Sequence, residues 1–233
     1  FHFMRVFRAA EKVGYGKEID FEHIGYGTIN GPDGKPFKSR DGSAVTLRSL
    51  VDDAKAKAEQ RLAEVNLSDS LSDEEIGTIA DQIMVGALRF GDLINTPASD
   101  YVFDLERFVS FEGKTGPYLQ YTTVRLNALL DKAAESGYRP GKIESDKAQK
   151  PLLLALIQYA EAVKGAADNR SPSILCEYLH GLAQQVNAFY QNVHILSESD
   201  KKKRESYLFV VRYARDILTQ GLKLLGIDTP RMM

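Results

Sequence analysis

Long apolar stripes at helical spacing are the feature that most constrains the fold of this chain. Two segments in its second half carry such stripes, with apolar residues every three or four positions and therefore on one helix face. The stripe residues are Leu175, Leu179, Leu182, Val186, Phe189 and Val193 in one segment, and Tyr207, Val211, Ala214, Leu218, Leu222 and Leu225 in the other. Further helices are predicted from Pro117 to about Ser136 and over "PLLLALIQYAEAVKGAA". Because each apolar face must be buried, these segments predict a helical bundle.

The first half contains helices and one region of a different kind. A helix is predicted to end near Val13, and another begins at Leu47. Ser72 and Glu75 have the spacing of a capping box, so a third helix should start there. Between the first two helices, "HIGYGTI" and "SAVTL" are β-like, and "NGPDGK" is rich in turn formers. The predicted fold class is mainly α, with a short β-containing segment before the bundle.

The composition is that of a globular protein and excludes several classes. The 233 residues carry a formal net charge of −2. No apolar run is long enough to predict a membrane-spanning helix. The single cysteine excludes an internal disulfide and favours a cytoplasmic location. Because the chain opens on Phe1 and carries no signal peptide, we expect it to begin inside a longer polypeptide.

Charge is distributed unevenly along the chain. Residues 112–233 contain 17 Lys and Arg against 13 Asp and Glu, a net charge of +4, and the remainder carries −6. A mildly basic half accepts a polyanion such as RNA but does not require one, because ordinary solvated surface has the same balance.

No metal site is predicted. Cys176 and His180 are four residues apart and would share a helix face, which is a ligand-like arrangement. Two ligands do not complete a zinc site, and no second pair follows, so a packed cysteine and a hydrogen-bonded histidine are favoured. A Walker phosphate loop is excluded as well, because Pro36 stands where that motif needs Ser or Thr.

Two patterns have both a functional and a structural interpretation. In "GKPFKSRDG", Lys35, Lys38 and Arg40 form either a solvated turn or a mobile loop that binds phosphates. Tyr118 and Tyr121 lie three residues apart on one predicted helix face, where they either stack on unpaired RNA bases or pack in the core. The patterns alone do not decide between these alternatives.

Four segments occur in the order that one enzyme family has them. They are "GTINGPDGKPFKSRDGSAVTLRSLVDDA", "VGALRFGDLINTPASDYVFDLERFVSFEGKTGPYLQYTTVRLNALL", "VNAFYQNVHIL" and "GLKLLGIDTPRMM". They resemble the C-terminal part of arginyl-tRNA synthetases, class I enzymes that join arginine to its tRNA through an arginyl-adenylate. The resemblance implies a remnant of a Rossmann-type catalytic domain in residues 1–50, a helical connector beside the tRNA stem in 51–111, and an anticodon-binding bundle in 112–233. It also implies that this part alone binds tRNA without activating arginine.

The resemblance assigns roles at the ATP site. "FKSRD" is similar to the family's Lys-Met-Ser-Lys-Ser loop, which makes Lys38, Ser39 and Arg40 the expected catalytic residues. Lys35, Lys38, Arg40 and His23 are expected to contact ATP, accompanied by Mg²⁺. Arg40 replaces the second lysine of the class pattern, and a guanidinium is not equivalent to an ammonium.

The resemblance also assigns the tRNA contacts. They fall on Tyr118, Tyr121, Tyr190 and the terminal residues Met232 and Met233, with the middle anticodon cytosine read on its Watson–Crick edge. The run "KKKR" either touches phosphates or is solvated surface. A monomer is expected.

A second hypothesis stays open at this point. The chain could be a non-catalytic helical module that binds tRNA or proteins and has a synthetase-like fold. A His-x-Gly-His nucleotide motif in the reading frame before Phe1 would distinguish the ligase from such a module.

Overall fold

The computed structural model describes residues 1–16, 18–36, 46–64 and 71–233, and within them the chain is mainly helical, which confirms the predicted fold class. Two very short strands are also present. The elements are α1 (His2–Lys12), β1 (Ile29–Asn30), α2 (Leu47–Glu64), α3 (Asp73–Leu93), β2 (Tyr101–Val102), α4 (Leu105–Phe108), α5 (Gly116–Glu135), α6 (Lys150–Leu156), α7 (Tyr159–Asp168), α8 (Pro172–Asn192) and α9 (Lys201–Leu224). A short 3₁₀ helix, Ile195–Ser197, precedes α9. No helix in the described part of the chain has both the length and the apolar character needed to cross a membrane.

The main core lies between α5, α6, α8 and α9. All six residues of the predicted α9 stripe are buried in it. The α8 stripe is buried from Leu175 to Phe189, and Val193 is partly buried at its edge. The helical period read from the sequence therefore identifies the faces that meet, because burying apolar surface on both helices drives the packing.

The helix ends follow the local signals. Ser72 accepts from the Glu75 amide, and the Glu75 carboxylate accepts from the Ser72 amide, which completes the predicted capping box. Thr115 caps α5 by accepting from the Tyr118 amide at 3.1 Å, and Gly137 ends that helix region with a φ of 76°. These groups satisfy backbone donors that a helix leaves unpaired at its ends.

One predicted helix is wrong as a single element. "PLLLALIQYAEAVKGAA" forms α6 and α7, with a break at Ile157 and Gln158. At the break, the carbonyl oxygen of Ala155 accepts from the Gln158 amide at 3.3 Å and from the Tyr178 hydroxyl at 3.1 Å. Both donors compete with the Tyr159 amide, the regular helical partner of that oxygen. A tertiary hydrogen bond from α8 thus meets the chain at the point where the helix breaks.

The β-like region contains less strand than its sequence indicates. Residues 29–30 pair in parallel with residues 101–102, and the turn that follows β1 brings Pro36 back to Asn30 in a single bridge. Gly34, with a φ of 72°, supplies the positive φ expected there. The partner strand is distant in sequence, so local patterning could not identify it. Most of "SAVTL" lies outside the described residues.

Helix α3 joins the two halves of the molecule. On one side it packs on α2 around Ala58, Leu62, Ile79 and Ile83. On the other side it crosses α5 at a point where both helices have glycine. A Cβ on Gly116 would lie 2.0 Å from the Gly86 carbonyl oxygen. The two backbones approach so closely that no side chain fits between them.

Gly116→Ala is therefore expected to lower the free energy of unfolding by about 1–3 kcal/mol, since the helices must separate to admit a methyl group. Gly181→Ala on α8 is the matched control, because a Cβ there meets no atom within 4 Å. Removing glycine from a helix interior should make that variant about 0.5–1 kcal/mol more stable. Urea unfolding followed by circular dichroism measures both changes, and equal stabilities would contradict the close crossing.

Candidate nucleic-acid interface

An exposed group of aromatic and cationic side chains lies where α5 meets the C-terminal end of α8. Tyr121 and Arg125 are one helical turn apart on α5, and Tyr190 comes from α8. The Arg125 guanidinium carbon lies 5.7 Å from the centroid of the Tyr121 ring and 4.6 Å from that of Tyr190. The two tyrosines are 39% and 38% exposed. We call these three residues the Tyr–Arg cluster.

Asn187 links the Tyr–Arg cluster to Tyr118 by hydrogen bonds. Its amide nitrogen donates to the Tyr118 hydroxyl at 2.7 Å, and its amide oxygen accepts from the Arg125 guanidinium at 3.4 Å. Tyr118 itself is partly buried against the main core, with its ring centroid 5.7 Å from that of His180. Tyr118 therefore sits below the surface as a support, whereas Tyr121 and Tyr190 face solvent.

The Tyr–Arg cluster has the chemistry of a single-strand binding surface. Phenol faces stack on unpaired bases regardless of base identity, and a guanidinium supplies several donors in a fixed plane for phosphates or base edges. Beside Tyr190 there is a pocket of about 240 Å³, bordered also by Leu129, His194 and Leu196. A base extruded from a loop could therefore stack on the Tyr190 ring and enter the pocket beside it.

The terminal methionines lie at a different edge of the same surface. Met233 packs with Phe111 against the α2–α3 cluster, and Met232 is 36% exposed. The Phe111 ring centroid is 6.5 Å from that of Tyr121. Phe111 therefore lies near the Tyr–Arg cluster and packs on the same α2–α3 cluster as Met233.

The residues predicted for ATP are only partly described. Lys38, Ser39 and Arg40 lie outside the described residues, so their role stays a prediction. Lys35 has an exposed side chain on the turn after β1, and its amide donates to the Asp33 carboxylate at 3.1 Å. His23 is also exposed, with its ring centroid 4.1 Å from that of Phe3.

A groove of about 690 Å³ borders the described end of that turn. Pro36 and, from the start of α2, Leu47 and Leu50 line it. Tyr26, Thr28 and Tyr101 are further members of its wall. The groove is therefore lined by described residues on both sides of the "FKSRD" segment, which we call the signature loop.

The basic run at the start of α9 is largely engaged within the protein. Lys203 lies 3.6 Å from the Asp146 carboxylate, and Lys201 lies 3.7 Å from that of Glu205. The Arg204 guanidinium covers the Tyr138 ring at 3.9 Å from its centroid. These contacts favour the structural interpretation of the run over a phosphate-binding one, because three of its four charges already have partners.

Cys176 and His180 both lie in the bundle interior. Burial raises the pKa of the Cys176 thiol to about 12, which leaves it protonated and unreactive. Burial also lowers the pKa of His180, and the nearby Lys114 charge acts in the same direction. Among the described residues, no group of three or more His, Cys, Asp and Glu side chains is placed to hold a metal ion.

Sequence analysis missed two members of this interface, Arg125 and Asn187. Arg125 had a usable signal, because a residue four positions after Tyr121 on a helix lies directly beside it. Asn187 had none, since its role depends on α8 meeting α5 at one particular register.

Comparisons with known proteins agree with this architecture. A family model described as tRNA synthetases class I (R), catalytic domain, matches residues 1–105, and one described as DALR anticodon binding domain matches residues 119–233. Arginine–tRNA ligases of Hyphomonas neptunium and Maricaulis maris are 48% and 42% identical over all of this chain, which covers 40% of each relative. The structure of Thermus thermophilus arginyl-tRNA synthetase superimposes with a TM-score of 0.81 at 29% identity, over 97% of this chain and 38% of that one.

The catalytic-domain match followed by the anticodon-binding match defines a class I aminoacyl-tRNA synthetase architecture. The chain spans about two fifths of the length of the curated relatives it matches. It belongs to the arginyl-tRNA synthetase family and corresponds to the C-terminal portion of its members, which confirms the resemblance inferred from the four sequence segments.

Proposed function

We propose that this chain is the tRNA-recognising part of an arginine–tRNA ligase and that it also carries the loop that holds ATP phosphates. Within it, residues 1–50 complete the catalytic domain, residues 51–111 connect it to the bundle, and residues 112–233 bind the anticodon. The catalytic-domain match over residues 1–105 and the anticodon-binding match over residues 119–233 support the division between the first two segments and the bundle.

The observation that carries the proposal is the exposed Tyr–Arg cluster on the part of the chain matched by the anticodon-binding model. Anticodon bases splay out of their loop on binding, and aromatic rings receive them by stacking. Tyr121 and Tyr190 would each take one base, while Arg125 contacts a base edge or the intervening phosphate. Tyr118 and Asn187 hold Arg125 between the two rings.

At the ATP site, Lys38 and Arg40 are proposed to hold the phosphates while the arginine carboxylate attacks the α-phosphorus. The bond to pyrophosphate breaks as the new phosphorus–oxygen bond forms, and the two cations stabilise the charge on the leaving group. Lys35 and His23 lie on the segments that approach the nucleotide. Because catalysis also needs the upstream part of the protein, this portion alone is expected to bind tRNA without activating arginine.

Magnesium would neutralise phosphate charge when bound with the nucleotide. The described residues offer no cluster of three or more carboxylate, histidine or cysteine side chains. We propose that the ion is bound mainly by the nucleotide phosphates, where it commonly keeps most of its waters.

The protein is proposed to act as a cytoplasmic monomer. A single buried cysteine fits a reducing compartment. Sedimentation of the full-length protein would test the monomeric state, and a concentration-dependent increase in mass would contradict it.

Binding of tRNA transcripts to the full-length protein tests the anticodon assignment. Changing the middle base of the anticodon should weaken binding about tenfold, the equivalent of about 1.4 kcal/mol from one lost base contact. The affinity should also fall steeply with salt, because phosphate contacts release counterions. A stem base pair reversed in orientation is the control transcript. Equal affinities for the original and the anticodon-altered transcripts would overturn the proposal.

A further inference from the structure

The chain ends in a segment without regular secondary structure that runs back along α3. We call residues 226–233 the C-terminal strap. The Arg89 guanidinium donates to the Gly226 carbonyl oxygen at 2.8 Å near the end of α3. The Arg231 charge acts at the opposite end of that helix on Glu75, whose pKa is lowered mainly by hydrogen bonds from Ser72 and to a smaller extent by Arg231. Met233 packs against the cluster that contains Ile79 and Ala80 of α3, so the strap runs antiparallel to that helix.

The two lengths agree with this path. Gly226 to Arg231 in extended form spans roughly 17 Å. Glu75 to Arg89 on α3 spans about 21 Å, and the arginine side chains at both ends cover the difference. The strap is thus long enough to follow α3 over this distance.

One fully buried side chain links the middle of the strap to both halves. The Gln120 amide nitrogen donates to the Asp228 carbonyl oxygen at 2.7 Å and to the Gln82 carbonyl oxygen at 2.9 Å. These acceptors belong to the strap and to α3, while Gln120 itself belongs to α5. Because both partners are acceptors, they fix the orientation of the amide.

The surroundings of Gln120 indicate that a side-chain amide, and not an apolar group, occupies this position because of these two hydrogen bonds. A Cβ on Gly86 would lie 2.5 Å from the Gln120 amide oxygen, so that glycine leaves room for the group. The oxygen itself has no donor among the described residues. A buried acceptor without a donor is unfavourable, and an apolar side chain of equal volume would avoid that penalty.

The far end of the strap reaches the nucleic-acid interface. Met233 and Phe111 both pack against the α2–α3 cluster, and the Phe111 ring centroid lies 6.5 Å from that of Tyr121 in the Tyr–Arg cluster. A strap released from α3 would withdraw Met232 and Met233 from this edge without altering the tyrosines themselves.

We propose that Gln120 is a positioning residue for tRNA recognition, which pins the C-terminal strap to α3 and so holds the terminal methionines beside the Tyr–Arg cluster. Its contribution to RNA binding rests on the proposed function. Its contribution to the position of the strap does not, and the two are measured separately.

Carboxypeptidase release of the terminal methionines from the full-length protein measures the position of the strap without RNA. Gln120→Met removes both hydrogen bonds at nearly constant volume and should accelerate release about tenfold. Gln149→Met is the matched control, because Gln149 is a second fully buried glutamine whose bonds, to Glu144 and Ser206, lie within the bundle. Its release rate should equal that of the wild type. Equal rates for the wild type and Gln120→Met would overturn the proposal.

A double-mutant cycle measures the effect on RNA binding. Gln120→Met and a chain ending at Asp228 should each weaken binding of the arginine tRNA about tenfold. The two changes together should weaken it no more than the shortened chain alone, because Gln120 would act only through the strap. Additive losses would mean that Gln120 acts by another route and would overturn the positioning role.

The controls separate this inference from the proposed function. If wild-type protein failed to distinguish the anticodon-altered transcript, the proposed function and the RNA half of this inference would both be wrong. Faster carboxypeptidase release from Gln120→Met would still establish the pinned strap. If the wild type discriminated but Gln120→Met bound tRNA with unchanged affinity, the inference alone would be wrong.

Discussion

Lys38→Ala and Arg40→Ala are each expected to slow arginine activation by the full-length protein by about 10²–10³-fold. Both residues belong to the signature loop, whose family counterpart grips ATP phosphates. Negative charge develops on pyrophosphate as it leaves. Loss of one cation therefore destabilises the transition state more than it destabilises the bound substrates. The measurement is arginine-dependent pyrophosphate exchange with ATP, arginine and tRNA at saturating concentrations.

Further variants separate charge from shape at these positions. Lys38→Arg and Arg40→Lys keep the charge but change the donor geometry, so a partial loss at one position would identify the cation whose shape matters. Lys142→Ala removes an exposed lysine from the segment between α5 and α6 and should leave the rate unchanged. Wild-type rates in both alanine variants would exclude the loop from the chemistry.

Tyr121→Ala and Tyr190→Ala are expected to weaken tRNA binding by about 1–3 kcal/mol each, which is about 5- to 150-fold in the dissociation constant. Each change removes a half-exposed ring on which a base would stack. The double variant should lose less than the sum, because Arg125 lies against both rings and the two sites are coupled. Filter binding at fixed salt measures these constants.

A matched tyrosine serves as the control for this pair. Tyr213 on α9 is 49% exposed and stacks on Phe209, with ring centroids 6.3 Å apart. Tyr213→Ala should not change tRNA affinity, and Tyr121→Phe should retain most of it because the ring face remains. An equal loss in Tyr213→Ala would show that the effect is not specific to the Tyr–Arg cluster. Unchanged affinity in Tyr121→Ala would remove that ring from the interface.

Much of the secondary structure could be predicted from local sequence. The capping box at Ser72, the start of α5 after Thr115 and the buried stripes of α8 and α9 are set by residues within a few positions of one another. Hydrogen bonds at helix ends and apolar periodicity act over short stretches of chain, so the sequence displays them directly.

Prediction was poorer wherever a distant residue decides the outcome. Tyr178 from α8 donates a hydrogen bond at the break between α6 and α7, and β1 pairs with residues 101–102 far along the chain. The two exposed tyrosines were predicted, but their shared arginine was not, because Arg125 meets Tyr190 only once α5 and α8 have packed.

The sequence by itself determined the helical class, the faces that would be buried and, through four family-like segments, the family. Tertiary structure alone decided that Arg125 lies between two tyrosines, that Tyr118 is a support beneath them, and that Gln120 ties the end of the chain to α3. The reason is physical. Periodicity fixes which side of a helix is apolar, whereas the register between helices is fixed by how all of them pack together.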